Sequence, residues 1–370
     1  MDPLPRTDAP HAGMPPLDDS AAAISSFEFA NPRLFYTPIA AYIAWLSLRH
    51  LGASLPTNVN PHLPLSGLIG ESKTEVMSTV PDHMRHWLSP YVTITRDGDM
   101  AATLARAEQA MNAAGITYPC VAKPDMGMRG AGVQKIDSAE ALKAYIAAFP
   151  EGGHFLVQAL VDEEGEAGVF YVRYPGEAQG RIISLTLKYF PRVTGDGHRT
   201  LRDLIMADTR AGALPHLYLD RFRDRLDTVV PKGEKIRLAF AGNHCRGTIF
   251  RNGADHVTQA MTDRFDDIAK AMPDFHFGRF DVRFGDFEAF RAGHGFRILE
   301  INGAGGEATH IWDSRTTLWQ AYRTLADQFR HLYRIGAANR RRGFRPSGLL
   351  ALFRAWRHEQ NLSKRYPQTH

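Results

Sequence analysis

The sequence is short of the residues that mark several common protein classes. It has two cysteines, Cys120 and Cys245, which make neither a disulfide framework nor a zinc-ligand pattern. Cys120 sits in the apolar stretch YPCVAKP and reads as a buried strand thiol. Cys245, in GNHCRG, reads as the more exposed of the two. No basic start leads into an apolar run. Residues 1–26 hold five prolines and four aspartates among small residues, so they read as a disordered tail and not as a secretory signal. No uncharged apolar run is long enough for a confident membrane span. The longest, Leu34 to Leu48, would be about 22 Å as a helix at about 1.5 Å per residue. A bilayer core takes about 30 Å, and Pro38 interrupts the run early. Internal repeats are lacking too. Acidic residues are almost missing from 334–370, where Glu359 stands against nine Lys/Arg, so the net charge of +4 belongs to the C-terminal tail over a mildly acidic body.

What remains is ordinary globular material, 44% hydrophobic and 23% charged over 370 residues, enough for two or three compact lobes. The stretch LPTNVNPHLPLSGLIGESK is rich in proline and asparagine and reads as loop. Helical spacing predicts helices over Asp99 to Gly115, Asp203 to Ala211, Asp263 to Ala271 and Ser314 to Tyr333, with a further one capped by Ser138. Strands are predicted at Tyr118 to Lys123, Val133 to Ile136, Phe155 to Val161, Val169 to Tyr174 and Ile182 to Phe190. Ile236 to Ala241 and Thr248 to Phe250 read as strands joined by a turn at Gly242 and Asn243. His276 to Phe284 and Phe296 to Ile301 read as a strand pair. The mixture is α+β with antiparallel pairs.

Two constellations carry chemistry. Residues 121–133 read VAKPDMGMRGAGV: a strand delivers Lys123, then Gly127, Gly130 and Gly132 follow within six residues. Glycines at this density let backbone N–H groups approach phosphate oxygens, and Lys123 and Arg129 add positive charge. No Gly-Lys-Ser/Thr closes the loop and a strand, not a helix, follows, so neither a Walker loop nor a dinucleotide fingerprint is present. A lysine on a strand followed by a glycine loop describes a lid over phosphates; a tight hairpin turn is the plainer alternative. The second constellation is GRFDVRFG (278–285) with ILEINGAGG (298–306). Alternation puts Asp281 on one face with Arg279 and Arg283, and Glu300 on one face with Asn302. Paired, these strands gather Asp281, Glu300 and Asn302 into a hard oxygen set suited to Mg²⁺ shared with nucleotide phosphates. A surface pair with salt bridges to the arginines is the alternative.

In order along the chain, Lys73, Lys123 with its glycine loop, Asp281, and Glu300–x–Asn302 resemble the ATP-grasp superfamily, which includes D-alanine–D-alanine ligase, glutathione synthetase and the ligase half of cyanophycin synthetase. The resemblance covers roughly residues 70–330. It implies an ATP-grasp fold, two α+β subdomains gripping ATP, here with a lid-bearing part at 91–158 and a metal-bearing part at 159–335, preceded by a short atypical region at 27–90 and followed by a basic tail at 336–370. It implies that Lys73 and Lys123 are nucleotide lysines and that the 155–161 strand, with Gln158 and Leu160, meets adenine. Gln158 stands where the family usually has Glu. By the same resemblance Glu166 holds the ribose, Lys188 reaches the phosphates, and Arg279 stabilises a tetrahedral transition state. VTGDGHRTLRDLI (193–205) resembles an element of cyanophycin-synthetase-like ligases; a Gly-Asp-Gly turn followed by a capped helix is the plainer alternative.

The reaction so implied is activation of a carboxylate by ATP as an acyl phosphate, for attack by the amine of an amino-acid-like or peptide-like substrate, with Mg²⁺, or Mn²⁺ in its place. A small-molecule kinase using the same site, and a non-catalytic nucleotide-binding module held at a membrane, are the competing expectations. Residues 340–357 bring Leu349, Phe353 and Trp356 to one helical face beside Arg354 and Arg357. With 34–48 they could meet an anionic membrane surface; no nucleic-acid recognition module accompanies them. The expected location is cytoplasmic, peripheral at the inner face of a membrane if the tail engages lipid. The sequence sets no oligomeric state.

Overall fold

A computed structural model describes residues 11–18, 20, 22–127, 130–240 and 242–367. Four strands, β1 (Tyr91–Thr95), β2 (Cys120–Pro124), β3 (Gln134–Ile136) and β4 (His154–Ala159), form an antiparallel sheet in the order β1-β4-β2-β3. Helices Met100–Ala113 and Ala139–Ala148 supply the apolar residues that cover it. Asp99 and Ser138 cap them through side-chain oxygens. Ala107, Met111, Leu142, Tyr145 and Ile146 pack on Cys120, Ala122, Phe155 and Val157, so Cys120 is the buried thiol its neighbours imply, and burial pushes its pKa up to about 11.

A larger sheet begins with β5 (Gly165–Val172) and β6 (Arg181–Tyr189). A short pair, β7 (Arg192–Thr194) with β8 (Lys235–Arg237), branches away, and β9 (Ile249–Asn252), β10 (Phe277–Phe284) and β11 (Phe296–Asn302) complete the sheet in the order β11-β10-β5-β6-β9. β5 is buried along its whole length, which its run of Gly, Ala, Val and Phe permits. Phe265, Ile268 and Ala269 of helix Gln259–Ala271 cover one face, meeting Phe280, Val282 and Phe284. The expected β10–β11 pair is present in antiparallel register. The expected turn-linked pair around Gly242 is not: β8 pairs with β7, and β9 with the edge of β6.

The described residues nearest each terminus pack on the body. His11 to Leu17 fall within the stretch expected to be a disordered tail. Met14 and Leu17 instead pack on the larger sheet's core, and the Tyr189 hydroxyl donates to the Pro15 carbonyl at 3.1 Å. The apolar run is a helix, Pro32–Arg49, buried through Phe35, Ile39 and Leu46; Phe35 and Ile39 join Ala321 and Leu325 of the long helix Leu318–Arg341. No described helix is long and apolar enough to cross a membrane. The final helix, Leu349–Ser363, leaves Leu349, Leu350, Phe353 and Trp356 exposed but buries Glu359, which accepts from the Gly70 N–H at 3.2 Å. Just past it, Tyr366 stacks on Phe149 at 5.4 Å.

Candidate active site

The faces of the two sheets that look toward each other enclose a cavity of about 600 Å³. β2 and β4 supply Lys123 and Gln158, β5 and β6 supply Glu166 and Lys188, and β10 and β11 supply Arg279, Asp281, Arg283, Glu300 and Asn302. Lys73 enters at the start of helix Lys73–Ser78, whose N-terminus is tied to β2's end: the Lys73 N–H donates to the Asp125 carbonyl and the Ser72 hydroxyl to the Asp125 carboxylate. Gly127, Gly130 and Leu160 complete this part of the wall. Of the residues singled out from sequence, Gly132 does not line the cavity, and Arg129 lies outside the described residues. Gly132 has a structural task instead. Its φ is +71°, a Cβ would fall 2.7 Å from Pro124 Cγ, and its carbonyl accepts from the Tyr145 hydroxyl.

The charges are arranged in pairs. Asp281 accepts from Arg279 through the Nε–Nη2 edge of the guanidinium, at 3.0 and 2.9 Å, and from Lys188 at 3.0 Å. Burial opposes its ionisation, but Arg279 and then Lys188 hold its carboxyl well below the usual range. β5 makes room for this cluster with Gly168, opposite Asp281, where a Cβ would stand 3.2 Å from both Arg279 Cδ and Asp281 Oδ1. Glu166, under the same burial, is kept ionised by Lys188 at 3.1 Å and Arg283 at 3.1 Å. Lys188, bridging both acids, has its pKa raised by them against burial. Glu300 faces Lys73 at 3.6 Å.

Lys123 differs. Its ammonium donates to the Leu299 carbonyl at 3.0 Å, and among the described residues no carboxylate lies within ion-pair range of it. Burial pushes its pKa down to about 8, only partly opposed by Glu300. The Leu299 carbonyl is available because β11 bulges there: Asp281 faces Glu300 while Val282 faces Ile298. Gln158 Nε2 donates to the same carbonyl at 3.2 Å.

Asp281 and Glu300 are register partners, as are Arg279 and Asn302, so Asp281, Glu300 and Asn302 share one face as alternation predicts. Asn302 Nδ2 donates to Asp281 Oδ2 at 3.2 Å, which fixes the amide. Two carboxylates and an amide oxygen are hard donors. They fit a Mg²⁺ that takes few protein ligands and completes its shell with phosphate and water. No cluster of three or more His, Cys, Asp or Glu suited to a metal occurs among the described residues, so these residues are not a self-contained metal cage.

Sequence reasoning missed Glu71, two residues before Lys73. Its carboxylate accepts from the Gly303 N–H at 2.7 Å and so holds the turn that follows Asn302. Burial pushes its pKa up to about 8; the Gly303 hydrogen bond works against this and Glu300 adds to it. It also missed Glu307, Tyr36 and Trp312. Tyr36 donates to Glu307 across 271 residues, a separation that no local pattern announces.

No family model and no curated protein matches this sequence. Solved structures do resemble it. Among them are a bifunctional glutathione synthetase from Pasteurella multocida (17% identity over 73% of this chain, TM-score 0.37) and a D-alanine–D-alanine ligase from Bacillus anthracis (9% over 76%, TM-score 0.41). A third is the D-cycloserine synthetase DcsG (13% over 84%, TM-score 0.39). The chain spans 39%, 72% and 87% of these three proteins respectively.

Proposed function

We propose that the cavity binds ATP with Mg²⁺ and activates a carboxylate as an acyl phosphate, which an amine then captures as an amide. The observation that carries this reading is Lys123: a buried ammonium with no carboxylate in ion-pair range among the described residues, on the strand that leads into the glycine loop, lining one cavity with the Asp281, Glu300 and Asn302 group. A buried cation left this way calls for an anion. The triphosphate is the anion that also uses the donor set opposite. Lys73 and Lys123 would hold phosphate oxygens, and Asp281, Glu300 and Asn302 would hold the metal, which when bound offsets charge on the transferring phosphoryl group. The apolar segment Ala159, Leu160 and Val161 at the end of β4, with Val121 and Val133, supplies a surface for a flat base. Arg279 is fixed by Asp281 and by its donation to the Glu307 carbonyl at 2.8 Å. It is thus pre-set beside the developing oxyanion, where a rigid cation lowers a barrier most. Lid closure over Gly127 to Gly132 would keep water from the acyl phosphate.

The test is incubation of the full chain with ATP, Mg²⁺, pooled carboxylic acids and hydroxylamine. The reading expects ADP together with a hydroxamate whose mass identifies the acid. A stable phosphorylated product without hydroxamate would point to a kinase, and ATP bound without turnover to a binding module; either result contradicts the proposal.

A further inference from the structure

The nucleotide reading uses one end of the cavity; the other end is built from different residues. Phe29, Phe35, Tyr36, Phe250 and Trp312 line it, with Glu307 among them. Phe35 lies 5.2 Å from Trp312 between ring centroids, and His244 stacks on the same indole at 4.7 Å. One wall of this chamber therefore comes from the start of helix Pro32–Arg49, in the region that looked atypical in sequence.

Glu307 is held in this chamber by neutral donors. The Tyr36 hydroxyl donates to Oε2 at 2.6 Å and the Trp312 indole N–H to Oε1 at 3.0 Å. Every other acid lining the cavity faces a basic side chain: Glu28 faces Arg210, Glu166 faces Lys188 and Arg283, Asp281 faces Arg279 and Lys188, and Glu300 faces Lys73. Among the described residues no Lys, Arg or His lies within ion-pair distance of Glu307. Neutral donors aim a carboxylate without cancelling its charge. An aimed anion bordered by aromatic rings is the chemistry that receives an ammonium group, through a charge-assisted hydrogen bond and cation–π attraction. The Glu307 carbonyl, accepting from Arg279, sets this acid beside the arginine.

We propose that Glu307, framed by Tyr36 and Trp312, binds the ammonium group of the substrate. The substrate is then an amino acid or a primary amine whose apolar or aromatic side chain fills the space between Phe29, Phe35 and Phe250. This rests on the ATP-site reading above, and it names the substrate class that reading leaves open. Glu307 is here a binding residue. A purely structural role, bracing the N-terminal helix against the turn Thr309–Trp312, predicts a different outcome.

The experiment is calorimetric titration of the full chain, first with Mg²⁺ and the non-hydrolysable analogue AMP-PNP, then at nucleotide saturation with matched probes. Phenylalanine and 2-phenylethylammonium are compared with 3-phenylpropionate, and leucine and 3-methylbutylammonium with 4-methylpentanoate. The wild type is expected to prefer an ammonium-bearing probe by about tenfold or more, as one charge-assisted hydrogen bond implies. Glu307→Gln is expected to cut that preference to about twofold while its nucleotide affinity stays that of the wild type. Tyr36→Phe, which keeps the ring and the charge, should retain most of the preference. A wild type that binds the nucleotide but shows no preference for ammonium overturns the proposal. So does an undiminished preference in Glu307→Gln, or a melting temperature that falls in both variants with the preference intact. A wild type that binds no nucleotide overturns the site reading itself, and this proposal with it.

Discussion

Lys123 shows what a single residue costs and does here. An ordinary lysine pKa is near 10.5, and burial brings this one to about 8. Between those values the unfolded chain holds more protons than the folded one, so stability rises with pH through that window. Below about pH 8 the full cost of the buried charge is present. A bound phosphate would restore the ammonium. At pH 8 nucleotide binding should therefore take up a fraction of a proton, seen as a binding heat that differs between Tris and HEPES buffers. Heats that agree in the two buffers at pH 8 would count against phosphate contact. Asp281 and Glu300 make a second contrast. Asp281→Asn takes the carboxylate from half-buried Arg279 and one of two from buried Lys188, which keeps Glu166, and should cost about 3–5 kcal/mol of stability, read as a fall in melting temperature. Glu300→Gln loses the 3.6 Å approach of Lys73 and the longer-range attraction on Lys123 but relieves the repulsion on Glu71, and should melt within a degree or two of the wild type. Both should lose turnover, so Glu300→Gln is the cleaner test of the metal assignment; full activity in it would remove Glu300 from the site.

At the scale of elements, the parts legible in the sequence are those whose partners are close or whose alternation is strict. Arg279 and Asp281 on one strand, and Glu300 and Asn302 on the next, could be placed on one face because period-two geometry leaves no choice. The bulge at Leu299, which turns a carbonyl toward Lys123, could not, since it arises from the register between β10 and β11. Nor could the partners of β8 and β9, since a short strand takes whichever sheet edge the rest of the fold offers. The glycine spacing of the loop was legible in the sequence, but its backing was not. A Cβ built on Gly127 would lie 3.3 Å from the Tyr366 ring and one on Gly132 would lie 3.2 Å from Tyr366 Cβ, so the C-terminal segment rests on the loop it follows by more than 200 residues. Tyr366→Ala should raise amide hydrogen exchange at Gly127 and across residues 130–133 and weaken nucleotide binding a few-fold. Unchanged exchange there would mean that the segment is only a neighbour of the loop.

On the scale of the whole molecule, two antiparallel sheets meet over one cavity, and segments far apart in the chain pack around it: Phe29, Phe35 and Tyr36 line its aromatic part, and Tyr366 backs the glycine loop. Composition hid both contacts, because a proline-rich start and a basic tail look dispensable until their apolar residues are seen docked. The central claim is that buried Lys123, with no carboxylate in ion-pair range among the described residues, and the acids that line the same cavity form a nucleotide–magnesium site. Titrating Mg²⁺ and AMP-PNP into the wild type and into Lys123→Met tests it most directly. Losing one charge-assisted phosphate contact costs about 1.5–3 kcal/mol. The account therefore predicts one site per chain in the wild type, and a roughly ten- to hundredfold weaker one in a variant at least as heat-stable as the wild type. Failure of the wild type to bind, or equal affinity in the two proteins, would contradict it.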